Sequence, residues 1–277
     1  MTEKQTGKAL VTGANRGLGK AIALELATRG FDVIAGVRDP ASAVQLLEES
    51  RTLKGKIEVE ALDVAALGDY RPPEDLQLLV NNAGYRGPYL PIEEAALDEW
   101  RKTFETNFFG VIDLTRRAIP ALRNAGAGII CNIGSLGAYT PLPFYSIYRA
   151  SKAAIAALSE GLRIELAPFG IRVIEIPIGG VDTDMLRSSI AHRPPDAIAY
   201  ELYRPMAQAQ AAMSESARVN ALAPEIAARN VVDEIFRVGP LRRACDPNAV
   251  KGLEYIDSTT EEERMQAMLE RFGVKAG

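Results

Sequence analysis

Residues 12–19 read TGANRGLG, Thr12 to Gly19, and lie between a short apolar run, Ala9-Leu10-Val11, and an apolar helical pattern that starts near Leu18. A strand, a glycine turn and a helix N-terminus in that order make a phosphate cradle. The first-turn N–H groups have no intrahelical partner, and the helix dipole favours negative charge there. Gly13 is expected to permit the tight turn, Gly17 to let the backbone approach a pyrophosphate, and Gly19 to let helix pack close to strand. Asn15, Arg16 and Leu18 complete the expected nucleotide-binding loop. The spacing is G-x-x-x-G-x-G, not G-x-G-x-x-G, and a glycine loop alone is also an ordinary strand-to-helix turn.

Outward from this loop, short apolar runs alternate with helical patterns. Strands are expected at Ala9–Val11, Val33–Val37, Ile57–Ala61, Leu76–Val80, Gly128–Ile133 and Ile171–Ile176, with helices near 18–28, 41–51, 93–124 and 147–167. The alternation implies an α/β fold: a single doubly wound, Rossmann-type domain over 1–277, its parallel sheet flanked by helices on both faces. Right-handed crossovers then gather the strand C-termini at one edge, where ligands bind. The pattern loosens after Thr183. Residues 184–223 carry Met185, Leu186, Ile190, Ile198, Tyr200, Leu202, Tyr203 and Met206 and read as a partly helical substrate lid, with plain core covering as the competing reading. A helix follows at Glu225–Phe236.

Composition narrows the function. The formal charge is −4 over 277 residues, which lacks the basic face that nucleic acid requires. No apolar run reaches membrane-spanning length and the first residues, MTEKQTGK, are polar, so a cytoplasmic protein without a membrane partner is expected. Cys131 and Cys245 read as reduced thiols, with a disulfide between them left open. No metal-ligand cluster occurs, and a hydrolytic triad would depend on His192, the only histidine, beside Pro194 and Pro195. The stretch Ile133-Gly134-Ser135-Leu136-Gly137 lacks the first glycine of a nucleophile elbow.

The acidic residue that would grip the ribose of NAD belongs about 20 positions past the glycine loop. Arg38 stands there, and its planar fork suits a 2′-phosphate; Arg16 adds a second positive charge. Asp39-Pro40 fits better as an N-cap with proline at the first helical position. NADP(H) is therefore the expected cofactor. Asn82, Ala83 and Gly84 end one strand with small residues that would let an adenosine ribose lie against backbone. Asp63-Val64 end another, with Asp63 either accepting from the adenine amino group or capping the next turn.

Tyr148 and Lys152 are spaced i and i+4 and share a helix face. An ammonium close to a phenol lowers its pKa from about 10 toward neutrality, where it can serve as a general acid or base. An isolated pair of this kind is more often an ordinary surface pair. With TGANRGLG, NNAG, Asn107, Ser135 and the Tyr148/Lys152 pair in order, however, residues 9–183 closely resemble the short-chain dehydrogenase/reductase family in its compact form. The resemblance implies that Tyr148 donates a proton to a carbonyl oxygen as hydride arrives from the nicotinamide, and takes it back in reverse. It implies that Ser135 orients that oxygen, and that Lys152 binds the nicotinamide ribose and depresses the Tyr148 pKa. Asn107 would hold a water linking Lys152 to solvent, and Thr183 would contact the carboxamide. One segment departs from the family pattern: Ile178 precedes Gly179, with the proline one place earlier at Pro177.

Leu136, Tyr139, Leu142, Phe144, Tyr145, Met185 and Leu186 are expected to wall the substrate site, which points to a small apolar carbonyl or alcohol. The alanine-rich stretch of Ser151–Leu166 implies, by family analogy, a homodimer or homotetramer. The leading expectation is an NADP(H)-dependent oxidoreductase. Its rivals are a non-catalytic NADP(H)-binding redox sensor and a lyase or epimerase that uses the cofactor internally.

Overall fold

A computed structural model describes residues 7–187, 196–218 and 221–274. Six strands, β1 (Lys8–Thr12), β2 (Asp32–Val37), β3 (Ile57–Ala61), β4 (Leu76–Asn81), β5 (Ile129–Ser135) and β6 (Arg172–Ile178), occur where the apolar runs placed them. They form one parallel sheet in the order β3-β2-β1-β4-β5-β6. Each inner strand is a near-continuous apolar run because both sheet faces are covered. Ala9, Val11, Val33, Ala35, Val80 and Ile174 face one core, closed by α1 (Gly17–Arg29) and the helix Pro224–Phe236. Leu10, Ile34, Leu79, Ile130 and Val173 face the other, closed in part by α4 (Gly110–Asn124). The alternation of neighbours between two cores is the period of a strand.

The edges are managed differently. In β3 the sequence IEVEA alternates and is only partly buried. Pro177 lies in β6, an edge strand, where a missing N–H costs least. The outer side of β6 is bridged by residues 241–243: Glu175 N donates to Leu241 O at 2.9 Å, and Arg243 N to Glu175 O at 3.0 Å.

Two expectations change. The helix read over 93–124 is broken into a 3-10 turn Ile92–Glu94, α3 (Leu97–Phe104), a π turn Glu105–Phe109 and α4. Apolar periodicity carries across that π turn, so the break is invisible in sequence. The helix read from 41 starts as a 3-10 turn, Pro40–Ala43, capped by Asp39 Oδ1 accepting from Ala41 N at 3.0 Å, and continues as α2 (Val44–Ser50). Asp39 therefore takes the capping role assigned to it, with proline at N1. Within 184–223 a helix runs Arg204–Arg218; Ile190, His192, Pro194 and Pro195 lie outside the described residues. Two helices beyond the sequence reading, Pro247–Ser258 and Glu261–Arg271, complete the described chain. No described helix is long and apolar enough to cross a membrane.

Candidate active site

β1 and β4 are neighbours, yet their crossovers lead in opposite directions. The crevice between their C-terminal ends is thus the switch point where doubly wound sheets bind ligands. The glycine loop follows β1 and the Asn82 turn follows β4. Gly13 has φ +64 and Gly17 φ +55, both in the left-handed region. Arg16 is the N-cap of α1 in extended conformation, without a side-chain cap, which leaves the first-turn N–H groups available to a ligand. The side chain of Leu18 belongs to the core, so this residue offers the loop only its backbone.

Asn82 has a structural task that its place in a small-residue turn did not reveal. Its Nδ2 donates to Thr12 O at 2.9 Å and to Gly13 O at 3.3 Å, while the N–H groups of Asn82 and Ala83 both donate to Thr12 Oγ1 at 3.0 Å. The two loops are locked together. A Cβ on Gly19 would stand 2.3 Å from Asn82 Nδ2 and 2.4 Å from Gly13 O, so no side chain fits between helix and loop. Gly19→Ala is expected to destabilise the fold by about 1–3 kcal/mol through overpacking and to weaken nucleotide binding. Chemical denaturation and a nucleotide titration check the two effects.

The other cofactor-side positions cluster at the same edge. Gly13 N donates to Gly36 O at 2.8 Å, next to the end of β2 and the exposed Arg38. Asn15 Nδ2 donates to Ser42 Oγ at 3.1 Å. Asp63 Oδ1 accepts from Ala65 N at 3.0 Å, a capping turn, and Val64 packs so close to Gly110 that a Cβ there would stand 2.4 Å from Val64 O. A Cβ on Gly84 would stand 3.6 Å from Asn107 Oδ1, and one on Gly17 would stand 3.3 Å from Thr183 Cγ2, which places Thr183 over the loop. The departing segment is held by its own contacts. Asp246 Oδ2 accepts from Gly179 N at 2.8 Å, and Leu222 is bonded to both Gly180 and Asp182. A Cβ on Gly179 would stand 2.5 Å from Ala249 N, so a glycine is required where the chain passes under the helix Pro247–Ser258.

On the other side of the crevice, Ser135 ends β5 and Tyr148 and Lys152 project from α5 (Ser146–Leu166). All three are buried. Lys152 Nζ donates to Ile133 O at 2.8 Å and stands 5.8 Å from the Tyr148 ring centre. Burial opposes ionisation of Tyr148. Lys152, then Arg86, then the Ser135 hydroxyl outweigh it, and the phenol is held below its ordinary value.

Asn107, in the π turn, is fully buried. Its Oδ1 accepts from Tyr85 N at 2.7 Å, and its Nδ2 donates to Tyr85 O at 2.8 Å and to Ser151 Oγ at 3.0 Å. Both amide hydrogens are thereby used, and the side chain clamps the loop after β4 onto α5.

The expected substrate wall divides. Leu142, Phe144 and Tyr145 join Tyr89, Tyr148, Ala197, Ile198, Tyr203, Met206 and Ala207 in one apolar cluster. Phe144 adopts φ +60, a left-handed backbone strained by about 1–2 kcal/mol for a bulky residue. Leu136 and Tyr139 turn elsewhere. A Cβ on Gly252 would stand 2.4 Å from Leu136 Cδ2, and the Tyr139 hydroxyl donates to the buried Glu175. Arg86 and Tyr89 are additions. A lone arginine and tyrosine after NNAG carry no periodicity or spacing that would mark them.

A separate cleft of about 590 Å³ lies between the helices Pro224–Phe236 and Pro247–Ser258, lined by Asp233, Glu234, Asp246, Glu254 and Lys251 among others. Its predominantly acidic wall suits a pyrophosphate poorly. The free thiols Cys131 and Cys245 are buried; burial pushes the Cys131 thiol up to about 12, which makes it a poor nucleophile.

The family model described as short chain dehydrogenase matches residues 7–194. The chain belongs to the short-chain dehydrogenase family of oxidoreductases. It is 39% identical over 212 residues to an uncharacterized oxidoreductase of Bacillus subtilis, YusZ, covering 70% of this chain and 73% of that one. It is 36% identical over 184 residues to an NADPH-dependent 1-acyldihydroxyacetone phosphate reductase of Schizosaccharomyces pombe, covering 63% and 60%. A solved short chain dehydrogenase from Burkholderia cenocepacia in complex with NADP superposes with a TM-score of 0.73 at 26% identity, covering 97% of this chain and 99% of that one.

Proposed function

We propose that the protein is an NADPH-dependent reductase of small carbonyl compounds, working in reverse on secondary alcohols. The observation that carries the reading is Tyr148: a buried phenol at the C-terminal edge of the sheet, held below its ordinary pKa by Lys152, Arg86 and the Ser135 hydroxyl. Bound nicotinamide supplies the hydride for the carbonyl carbon. Tyr148 gives its hydroxyl proton to the carbonyl oxygen, which becomes the alcohol, and the remaining phenolate is stabilised by the Lys152 ammonium. Ser135 holds the same oxygen in line. Asn107 acts by fixing the Tyr85 loop and α5 relative to one another, alongside the water-holding role that the family resemblance implies. Gly13, Asn15, Arg16, Gly17, Leu18 and Gly19 would cradle the pyrophosphate, with Asp63, Val64, Asn82, Ala83 and Gly84 along the adenosine and Thr183 at the nicotinamide.

Arg38 is exposed at the end of β2, and Asp39 is occupied in its cap. This arrangement supports NADPH over NADH. Arg38→Ala is expected to weaken NADPH binding by roughly tenfold or more, the worth of a charge-assisted hydrogen bond to a phosphate, and to leave NADH binding nearly unchanged. Parallel titrations with the two cofactors decide; equal losses would reject the assignment.

The aromatic cluster around Phe144, Tyr145 and Tyr203 supports an apolar body on the substrate, with the 184–223 segment as its cover. NADPH consumption with a panel of apolar ketones and aldehydes tests the whole reading. Firm NADPH binding without turnover would favour the sensor instead. Small residues exposed along α5, Ala153, Ala157 and Gly161, lead to Ile164, which is 77% exposed. That stripe supports a homodimer or homotetramer through α5. Light scattering of wild type and Ile164→Glu tests it. Two buried free thiols suit a reducing, cytoplasmic setting.

A further inference from the structure

We propose that Arg86 is a second cation acting on the Tyr148 phenol, a positioning residue that together with Lys152 sets the pH range in which Tyr148 exchanges its proton. The inference rests on the reading of Tyr148 as the acid–base group. Its own support is geometric. The Arg86 guanidinium carbon stands 4.8 Å from the Tyr148 ring centre, nearer than the Lys152 ammonium at 5.8 Å. The guanidinium also stands 5.8 Å from the Tyr145 ring. Tyr145 stacks on Tyr89 at 5.2 Å with planes 5° apart and leans on Tyr148 at 5.1 Å. Arg86 thus borders a stack of three aromatic rings, whose faces attract a cation.

Its placement is built rather than accidental. Arg86 directly follows Tyr85, whose backbone N–H and C=O are both held by the buried Asn107 side chain. The same Asn107 donates to Ser151, one turn along α5 from Tyr148. The loop carrying Arg86 is therefore anchored to the helix carrying Tyr148. Among the described residues, Lys152 from α5, Ser135 from β5 and Arg86 from the loop after β4 act on the phenol, while Tyr145 of α5, Tyr89 of that loop and Ala197 and Ala207 beyond it pack in the same cluster. None of these named residues is acidic.

The two cations differ in kind. Lys152 is anchored to Ile133 O at 2.8 Å and would also serve the ribose, whereas a guanidinium stays charged at every working pH. When Tyr148 gives up its proton the phenolate forms close to both cations, and Arg86 stabilises that state throughout the alkaline range.

The test is a spectroscopic titration of tyrosinate in the full chain. Each background is compared with its own Tyr148→Phe counterpart, so that Tyr148 is read apart from the other tyrosines. In Arg86→Met, and in Arg86→Gln as a second neutral variant, the Tyr148 midpoint is expected to rise by about one pH unit or more, the usual effect of losing an opposite charge at this range. Arg86→Lys should recover most of the shift. A folded neutral variant with an unmoved midpoint would overturn the proposal, as would an equal shift in Arg86→Lys, since that would tie the effect to packing rather than charge. No turnover is needed for this readout. Failure to reduce any carbonyl would sink the reductase reading alone, while the titration still decides the role of Arg86.

Discussion

Tyr148→Phe is expected to lower kcat for carbonyl reduction on the order of a thousandfold, about 4 kcal/mol of barrier, the range of a lost general acid. The substitution removes one oxygen and keeps the ring. The contacts with Tyr145 at 5.1 Å and the burial of the helix face therefore persist, and the fold should hold. NADPH affinity should change little, because the glycine loop and Arg38 are untouched. Measuring kcat beside the NADPH dissociation constant separates the two; a variant that loses both in proportion would point to a structural fault. The pH dependence has a definite sign. In the proposed mechanism Tyr148 can donate to the carbonyl oxygen only while protonated, so the wild-type reduction rate should fall as pH rises through its lowered pKa. Alcohol oxidation needs the phenolate and should rise over the same interval. In the variant both dependences should vanish from whatever activity remains.

Arg242→Met is the second large effect, and it acts on stability. Glu175 is fully buried on β6. It accepts from the Tyr139 hydroxyl at 2.8 and 3.0 Å and from Arg242 Nε at 2.9 Å. Arg242 also pairs with Glu160 and lies 4.8 Å from the Tyr139 ring centre. Removing the guanidinium leaves a buried carboxylate without its counter-charge, which costs about 3–5 kcal/mol. The lower end applies, because Arg242 is itself 31% exposed and Tyr139 still donates. In a domain of this size that is a fall of roughly 10 °C in Tm. Adding Glu175→Gln should restore much of the loss, because the stranded charge is then gone; thermal unfolding of the single and double variants checks both statements. The same cluster touches the site. A Cβ on Gly134 would stand 2.7 Å from Glu175 Oε1, and Tyr139 lies four residues past Ser135. The Ser135 loop should loosen, and the rate should fall along with the stability.

Glu175 and Arg242 illustrate what a sequence conceals. They are 67 residues apart and meet only because residues 241–243 bridge the edge of β6. Nothing in the run Arg172–Ile178 distinguishes Glu175 from an edge-strand residue facing solvent. Arg86 is the same case. Its neighbours Tyr145 and Tyr148 lie some 60 residues on, and the meeting depends on Asn107 holding the loop after β4 against α5. Leu136 packs by Gly252 and Tyr139 bonds to Glu175, because proximity to Ser135 in sequence does not decide which way a side chain turns.

The features legible in the chain alone were those that local physics determines. Apolar runs of strand length between helical periods dictated the six strands and their parallel arrangement, since both faces of each inner run had to be buried. The glycine spacing determined a turn and a close helix approach, because a residue without a Cβ adopts φ +64 without strain and alone leaves room for Asn82. The i, i+4 rule put Tyr148 and Lys152 on one face of a helix. Tertiary structure alone decided the π turn at Asn107, the locking of two loops by Asn82, the Glu175 charge cluster and the arrival of Arg86 beside Tyr148. Each of these is a contact between segments far apart in the chain, and its energy comes from burial and charge compensation that exist only once the sheet has assembled.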